Sequence, residues 1–596
     1  MSDYVAPLKD MQFVLKELAG IEEIAGLPGC EEVSVDLVDQ ILEESGKFCA
    51  EVLAPLNQSG DVEGSKWDKG SVTTPKGFVQ AYKQFVEGGW NALQFPPEFG
   101  GQGLPKLVAT PVMEMGKAAN LSFSLCPLLT FGAIEALLLR GSDALKKTYL
   151  PKMVEGSWTG SMNLTEPQAG SDLSLVKAKA VPDGEHYRIY GQKIFITYGE
   201  HDLAENIIHL VLARTPDAPE GVRGISLFIV PKFLVNADGS LGKRNDVHCA
   251  SIEHKLGIHA SPTAVLIYGE KEGALGYLIG EENRGLEYMF IMMNAARFGV
   301  GLEGVALSDR AYQQALAYAK ERVQSRDLGG GGKAVPIIRQ PDVRRMLMSM
   351  KAQTEAMRAL AYVVAAAMDI AHRDPDAALR AKHQSFADMM IPVVKGWSTE
   401  SCIEVASIGI QVHGGVGYVE ETGAAQYLRD ARITTIYEGT TAIQANDLVG
   451  RKMAREGGAT AKEVIKSMRV VEGQLAQAQG EDMAAIRAAL AAGIKAVEES
   501  VTWIVSSYAT DVKSVHAGSV PFLKLMGIVC GGWQMARAAL VAQKRLAAKE
   551  GDSAFYQAKI TTARFYADHI LAQAPGLRNT VVRGAAGVMA LAEEQF

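Results

Sequence analysis

The chain has 596 residues, 48% of them hydrophobic and 21% charged, which is typical of a globular protein and argues against a disordered one. Because a single hydrophobic core stops growing at about 250–300 residues, this length indicates several domains. Lysine and arginine total 60 against 68 aspartates and glutamates, and the net charge of −8 argues against sequence-independent binding of nucleic acid. The six cysteines show no CxxC spacing, so no zinc site, iron–sulfur cluster or other metal centre is expected.

The first part of the chain, residues 1–160, has the apolar spacing of helices, as in Val35–Leu42. A loop dense in glycine and proline, Gly88–Pro105, interrupts these helices. The pattern changes over residues 161–280, where short apolar runs such as Ile207–Ala213 stand between Gly, Pro and Asp. This second part is predicted to form a small antiparallel sheet or barrel.

Helical spacing returns after Gly285 and continues to the end of the chain. Four consecutive glycines in Asp327–Lys333 indicate a loop between helices and not a phosphate cradle. The predicted fold class is therefore α+β, mainly α. Its predicted domains are an N-terminal helical domain (1–160), a middle β domain (161–280), a helical bundle domain (281–450) and an additional C-terminal helical domain (451–596).

The longest uninterrupted apolar stretches, such as Ala359–Met368, are shorter than the roughly 20 residues that a membrane-spanning helix needs. The first residues, MSDYVAPLKDMQF, have neither the basic-then-apolar order of a signal peptide nor the arginine-rich character of a transit peptide. These two observations predict a cytoplasmic protein with no integral membrane segment.

Two segments in the middle of the chain combine features of a binding site. In Met162–Ser174 (MNLTEPQAGSDLS), the small-residue turn Ala169–Ser171 would let backbone donors come close to oxygen acceptors. The alternative for this turn alone is a surface loop without a ligand. In Lys193–Gly199 (KIFITYG), a predicted strand, Phe195 offers an aromatic ring for stacking, and the alternative is a strand without a ligand.

A third segment, Gln411–Tyr418 (QVHGGVGY), has three closely spaced glycines, which permit a backbone to approach a pyrophosphate. It lacks the strand–turn–helix context of a Rossmann fold, so no nicotinamide site is predicted. His413 is interpreted as a packed or hydrogen-bonding residue and not as a general base.

The fourth segment, Arg429–Gln444 (RDARITTIYEGTTAIQ), holds Glu438 between an aromatic residue and a glycine. Taken alone, this glutamate could be a solvent-exposed side chain without a role. In their order and spacing, however, the four segments resemble the motifs of the acyl-CoA dehydrogenase family. The likeness covers about residues 40–450 of the chain.

The resemblance implies FAD as the cofactor. Phe195, where many family members have tryptophan, would shield one face of the flavin ring, and Thr197 would hydrogen-bond near its N5 atom. Arg322 would meet the FAD phosphates across a subunit boundary, although Ser325 and Arg326 stand where family members continue with Phe-Gly. The other implied FAD contacts are Met162, Leu164, Thr165, Ser171 and Thr440 and, from the neighbouring subunit, Gln411, Gly414 and Gly415.

The resemblance also implies that Glu438 is the catalytic base. An α-hydrogen of a thioester is a very weak acid, so its removal needs a carboxylate made more basic by withdrawal from water. In some relatives the base lies on an earlier helix, but the matching position here is Ala296, which cannot accept a proton. Substrate contacts are implied for Ser171, Arg297, Tyr437 and Gly439.

The start of the chain and its helical tail past residue 451 resemble the subgroup whose members are about as long as this chain. That likeness implies a homodimer that oxidises a medium- or long-chain acyl-CoA, or 3-methylmercaptopropionyl-CoA, in fatty acid β-oxidation. Electrons would pass to an electron-transfer flavoprotein.

Two other functions stay open at this point. One is an acyl-CoA oxidase on the same fold, in which O2 reoxidises the flavin; the ending AEEQF carries no peroxisomal signal, which favours the dehydrogenase. The other is a protein that binds flavin or acyl-CoA without catalysis, and the presence of Glu438 argues against it.

Overall fold

The computed structural model describes residues 4–330 and 332–596. Two compact units make up the chain. The first comprises residues 1–46, 105–118 and 300–596, and the second comprises residues 47–104 and 119–299. Gly331, in the predicted loop Asp327–Lys333, and the first three residues, on which the leader prediction partly depends, lie outside the described residues.

Helices are the main element, as predicted. In chain order they are α1 (Leu8–Phe13), α2 (Ile21–Ala25), α3 (Val35–Phe48), α4 (Pro55–Glu63), α5 (Phe78–Glu87), α6 (Lys106–Ala119), α7 (Leu121–Arg140), α8 (Asp143–Glu155), α9 (Gly285–Glu321), α10 (Pro341–Arg373), α11 (Ala377–His413), α12 (Ala424–Thr434), α13 (Thr441–Asp447), α14 (Ala459–Gln477), α15 (Glu481–Ser507), α16 (Val512–Ala517), α17 (Ser519–Ala548), α18 (Ser553–His569), α19 (Ala574–Arg583) and α20 (Ala585–Val588). The predicted loop Gly88–Pro105 contains only a short 3-10 turn.

The strands belong to the second unit. They are β1 (Lys66–Asp68), β2 (Ser71–Thr73), β3 (Trp158–Asn163), β4 (Lys179–Asp183), β5 (His186–Thr197), β6 (Asn206–Ala213), β7 (Ser226–Pro231), β8 (Phe233–Val235), β9 (Leu241–Arg244), β10 (Val247–Ile252), β11 (Thr263–Tyr268) and β12 (Ala274–Leu278). The main sheet has the order β10-β11-β5-β12-β7-β6-β3, and β4 also pairs with β5. Its buried side chains, such as Phe228 and Val230, form the core of this unit.

Two features of the second unit correct the sequence prediction. The sheet is not wholly antiparallel, because β3 and β6 pair in parallel, with Trp158 opposite Asn206. The long connection through β4 and β5 makes this possible, since parallel neighbours need a crossover of about a dozen residues or more. The N-terminal part is also not wholly helical, because β1 and β2 form a hairpin whose turn residues, Lys69 and Gly70, both have positive φ.

In the first unit, α10 and α11 pack against each other and against the C-terminal helix α17, and α10 also packs against α18. Close packing is visible at Trp397 on α11: a Cβ atom added to Gly527 of α17 would lie 2.1 Å from the Trp397 ring. Only glycine permits α17 to come this close. The additional C-terminal helices therefore pack on the bundle within this unit, and the mainly helical fold with a β middle part is confirmed.

A buried charge cluster joins several helices of the first unit. The Arg358 guanidinium on α10 donates to Glu114 at 2.7 and 2.9 Å, to Asp309 at 3.0 Å and to Asp10 at 2.6 Å. The Tyr362 hydroxyl donates to the second oxygen of Glu114 at 2.7 Å. Burial raises the pKa of Glu114, although Arg358 opposes this shift. The Arg358 guanidinium therefore hydrogen-bonds to three carboxylates, one each from α1, α6 and α9.

Within residues 4–330 and 332–596, three helices are long and apolar enough, by length and composition alone, to cross a membrane: α7, α9 and α17. The sequence prediction, which considered only uninterrupted apolar runs, did not identify them. The shares of their apolar windows that are buried inside the protein are 83%, 72% and 83%.

Two buried histidines of the second unit contact hydroxyl groups of β3. A ring nitrogen of His209 on β6 lies 2.7 Å from the Ser161 hydroxyl on β3, and His201 lies 2.9 Å from the Thr159 hydroxyl. Burial lowers the pKa of both histidines to about 3. Both rings are therefore neutral in the folded protein at any pH near neutrality.

This burial predicts a loss of stability in mild acid. Between about pH 6.5 and pH 3 the unfolded chain binds protons at His201 and His209 that the folded chain does not, so the free energy of unfolding falls as the pH falls. At about pH 5.5 each histidine should lower the free energy of unfolding by roughly 1.4 kcal/mol relative to its value at about pH 7.5. Urea unfolding at the two pH values measures this, and the double variant His201→Gln/His209→Gln should lose less stability on acidification. Equal pH dependence of both proteins would contradict the prediction.

Candidate active site

The segment that follows β3 is held in place by Glu166. Its backbone closes a tight turn with Ala169, and its carboxylate accepts hydrogen bonds from the backbone N–H groups of Lys177 at 2.7 Å and Ala178 at 3.0 Å. The Lys193 ammonium on β5 donates to Glu166 at 2.8 Å and to the Leu164 carbonyl at 3.0 Å. The buried Glu166–Lys193 pair therefore fixes the first two predicted binding segments to each other.

The electrostatics of this pair favour two charged partners. Burial alone would raise the pKa of Glu166, but the Lys193 ammonium and the backbone donors outweigh it, so this pKa lies below its usual value. Burial lowers the pKa of Lys193 to about 8, against the opposing effect of Glu166. At neutral pH the pair remains charged.

Several predicted contact residues of the second unit lie at its surface. Phe195 is 59% exposed and has φ +59°, a left-handed conformation that costs a bulky residue about 1–3 kcal/mol. Met162, Thr165 and Thr197 are half-buried, and the two threonine hydroxyls have no hydrogen-bond partner among residues 4–330 and 332–596. The unit thus presents an accessible aromatic ring and two available hydroxyls.

The remaining predicted residues of this unit differ in exposure. Ser171 is exposed, whereas Leu164 and Arg297 are buried. The Arg297 guanidinium on α9 lies 6.0 Å from the centre of the Phe290 ring, at the outer limit of a cation–π contact.

In the first unit, the predicted phosphate-side residues are exposed. Arg322 follows the end of α9, and Gln411 lies in the last turn of α11. Gly414 and Gly415 begin a 3-10 turn, and a Cβ atom on either would meet nothing within 4 Å. The backbone at this turn is therefore accessible.

His413 is a packed residue, as interpreted from the sequence. Its ring stacks on Tyr318 with 4.5 Å between ring centres, and its Nδ1 donates to the Gly409 carbonyl at 2.7 Å. Burial lowers the pKa of His413. A role as general base is not supported by this environment.

Glu438 lies in a short loop between α12 and α13 and is half-buried. Its φ of +55° is left-handed, and the next residue, Gly439, has φ +87°. A side chain at Gly439 would meet the Gln444 amide, with 2.7 Å to its nitrogen, so glycine is required here. Thr440 then caps the N-terminus of α13, with its hydroxyl oxygen accepting from the Ile443 N–H at 3.3 Å.

Buried polar groups hold this loop on both sides of Glu438. The Tyr437 hydroxyl donates to Oε2 of Glu303 on α9, and Lys117 on α6 lies 3.4 Å from the other oxygen of Glu303. On the far side, the Lys395 ammonium on α11 donates to the Gly439 carbonyl at 2.6 Å. The Gln444 side chain donates to the carbonyls of Glu438 and Gly439 at 3.2 and 3.3 Å.

Sequence reasoning did not identify Glu166, Lys193, Glu303 or Lys395. The sequence did point to Glu166 and Lys193, because both lie inside segments that had been singled out as binding segments. The sequence gives a weaker indication for Glu303, which is the only charged residue in the apolar stretch Gly299–Leu307 of α9. Among the described residues no group of three or more His, Cys, Asp or Glu side chains is arranged to hold a metal ion.

Comparison with known proteins identifies the family. The chain matches four family descriptions: "Acyl-CoA dehydrogenase, N-terminal domain" (residues 38–157), "Acyl-CoA dehydrogenase, middle domain" (161–269), "Acyl-CoA dehydrogenase, C-terminal domain" (283–453) and "Acetyl-CoA dehydrogenase C-terminal like" (461–592). It is 52% identical over 578 residues to 3-methylmercaptopropionyl-CoA dehydrogenase of Ruegeria pomeroyi, covering 96% of both chains. The chain belongs to the acyl-CoA dehydrogenase family.

Other members support this assignment. The chain is 35% identical to a butyryl-CoA dehydrogenase of Syntrophomonas wolfei, covering 97% of this chain and 96% of that one. Its fold is similar to that of an acyl-CoA dehydrogenase from Bacillus anthracis solved in complex with FAD, with a TM-score of 0.74, 21% identity and coverage of 96% of this chain and 91% of that one. The sequence prediction of an acyl-CoA dehydrogenase, and of an enzyme, is confirmed.

Proposed function

We propose that this acyl-CoA dehydrogenase oxidises an acyl-CoA thioester to the trans-2-enoyl-CoA with FAD, and that Glu438 is the base. The observation that carries the proposal is the conformation of Glu438: a carboxylate residue held in a left-handed backbone conformation by anchors on both neighbours. Strained residues that the surrounding structure keeps in place cluster at active sites.

The exposed groups fit a flavin. An accessible aromatic ring at Phe195 can stack on a planar ring system, and the available hydroxyls of Thr165 and Thr197 suit its polar edges. When bound, FAD would supply the two-electron oxidant that accepts hydride. The proposed FAD-binding residues are Met162, Leu164, Thr165, Ser171, Phe195, Thr197, Arg322, Gln411, Gly414, Gly415 and Thr440.

The chain's own residues account for the proton and the developing charge. Glu438 takes the α-proton while hydride leaves the β-carbon, and a double bond forms between the two carbons. The Glu438 backbone N–H donates to the thioester oxygen, where negative charge develops. Arg297 holds CoA, and Ser171, Tyr437 and Gly439 contact the substrate.

We base the proposed substrate on sequence identity to the relatives. The 52% identity with a 3-methylmercaptopropionyl-CoA dehydrogenase, against 35% with a butyryl-CoA dehydrogenase, favours the methylthio thioester. An electron-transfer flavoprotein as acceptor, a homodimer and a cytoplasmic location are further parts of this proposal.

A panel of thioesters tests the activity and the substrate. The FAD-loaded protein is assayed with an artificial electron acceptor on 3-methylmercaptopropionyl-, pentanoyl-, butyryl-, octanoyl- and palmitoyl-CoA. Pentanoyl-CoA replaces the sulfur with a methylene, so it separates recognition of sulfur from recognition of length. We expect the highest kcat/KM for the methylthio thioester and values lower by about tenfold or more for octanoyl- and palmitoyl-CoA.

Three results would contradict parts of the proposal. If no thioester in the panel reduces the acceptor, the activity is wrong. If palmitoyl-CoA is the best substrate, the substrate is wrong. If O2 supports full turnover and peroxide accumulates in proportion, the enzyme is an oxidase.

A further inference from the structure

The loop that carries Glu438 is held by a set of groups that we name the loop clamp: the buried Lys117, Glu303 and Lys395, and the half-buried Tyr437 and Gly439 carbonyl. Tyr437 donates to one oxygen of Glu303, and Lys117 lies beside the other at 3.4 Å. Lys395 donates to Gly439 at 2.6 Å. The clamp thus acts on the residues immediately before and after Glu438.

The clamp removes three charges from water. Lys117 is 2% exposed, and Glu303 and Lys395 are 0% exposed. Burying an ion costs several kcal/mol, and well-packed apolar side chains in place of a buried ion pair often leave stability unchanged or improve it. Stability alone therefore does not explain the clamp.

The loop conformation supplies an explanation. A left-handed backbone conformation costs a residue other than glycine roughly 1–2 kcal/mol. Glu438 would therefore adopt another backbone conformation if no other group held the loop. The clamp fixes the Tyr437 side chain on one side and the Gly439 carbonyl on the other. With both neighbours fixed, the direction of the Glu438 side chain is also restricted.

We propose that Glu303 is a positioning residue: by accepting the hydrogen bond of Tyr437 it directs the Glu438 carboxylate, while Lys117 balances its charge. Lys395 holds the opposite side of the loop. This inference rests on the proposed role of Glu438 as the base.

The protonation states agree with these roles. Burial raises the pKa of Tyr437 well above its usual value, and the neighbouring Glu303 adds to this shift, so the phenol remains a donor. Burial also raises the pKa of Glu303, while Lys117, Tyr437 and Lys395 act to lower it.

A second carboxylate, Glu400, accepts from the Thr441 hydroxyl at 2.5 Å at the start of α13.

The variant Tyr437→Phe tests the proposal, because it removes the hydroxyl and keeps the ring. We expect kcat with 3-methylmercaptopropionyl-CoA or butyryl-CoA to fall by about 10–100-fold, since a misplaced catalytic group costs rate. KM should change by less than about threefold, because the ring surface remains. The pH at which kcat is half-maximal should also shift, since the carboxylate environment changes.

Tyr362→Phe is the matched control. Tyr362 is buried in the same unit and donates to Glu114 at 2.7 Å, so this variant also removes a hydrogen bond from a phenol to a buried carboxylate. Both variants should have a lower melting temperature. Only Tyr437→Phe should change kcat and its pH profile, whereas a purely structural role would make the two variants alike.

Glu303→Gln provides a conservative rescue and a second test if Tyr437→Phe does not fold. An amide oxygen can still accept from Tyr437, so this variant should lose less than about tenfold in kcat. The double variant Tyr437→Phe/Glu303→Gln should be no slower than Tyr437→Phe, because in the proposal Glu303 acts on the loop only through the Tyr437 hydroxyl, which Tyr437→Phe already lacks. Losses that multiply would overturn the proposal.

Hydrogen exchange gives a readout that needs no turnover. Backbone amides of residues 435–441 should exchange faster in Tyr437→Phe than in the unaltered protein, and not in Tyr362→Phe. Full activity of Tyr437→Phe together with an inactive Glu438→Gln would overturn the positioning role alone. An active Glu438→Gln would overturn the proposed function itself.

Discussion

The variant Glu438→Gln is expected to lose about 10²–10⁴-fold in kcat, the range that a general base contributes. Glutamine has the size of glutamate and can adopt the same backbone conformation, but it cannot take up a proton at neutral pH. FAD retention and KM should therefore stay close to those of the unaltered enzyme. Steady-state kinetics with the artificial acceptor and the flavin content of the purified variant measure these quantities.

Glu463→Gln is the control for this substitution. Glu463 is exposed on α14, so its loss should leave kcat unchanged. If Glu438→Gln kept a kcat within about threefold of the unaltered enzyme, another group would have to be the base. Loss of FAD from the variant would instead point to a structural effect.

The variant Arg358→Met is expected to destabilise the protein by about 3–5 kcal/mol, because it removes the cation from a buried cluster and leaves the carboxylates. Glu114 and Asp309 would then lie buried beside each other, and Asp10 would keep its ion pair with Lys559. Burial would force protonation of one or more of these carboxylates. The urea unfolding midpoint and the yield of soluble protein measure the loss.

Two substitutions bracket this effect. Arg358→Lys keeps the charge but cannot serve three carboxylates with one planar fork, so its loss should be intermediate. Arg469→Met removes a half-exposed arginine that pairs with Glu472 and Glu498, and it should cost less than about 1 kcal/mol. A loss below about 1 kcal/mol for Arg358→Met would mean that the cluster is not essential.

The sequence predicted those features that depend on local patterns. Apolar spacing identified the helices around the middle sheet, and the glycines and prolines of Gly88–Pro105 identified a loop. Short runs such as Ile207–Ala213 became strands, here β6. The loop that carries Glu438 and the exposed aromatic Phe195 were singled out because whole motifs resembled one family.

The features that were missed depend on residues far apart in the chain. Glu303 and Tyr437 are 134 positions apart, and no local pattern joins them. The parallel pairing of β3 with β6 was also missed, because it depends on the path of the chain through β4 and β5 and not on a local pattern. The left-handed φ of Glu438 was equally hidden, because glutamate has no preference for that conformation.

Anaerobic reduction of the bound flavin measures whether Glu438 removes the α-proton as FAD takes up hydride. The FAD-loaded protein is mixed with 3-methylmercaptopropionyl-CoA without any acceptor, and the visible flavin band and the thioester product are followed together. We predict that the band bleaches as an equivalent amount of enoyl-CoA forms, and that Glu438→Gln stays yellow. A purified protein that takes up no FAD, or a Glu438→Gln variant that bleaches as fast as the unaltered enzyme, would contradict it.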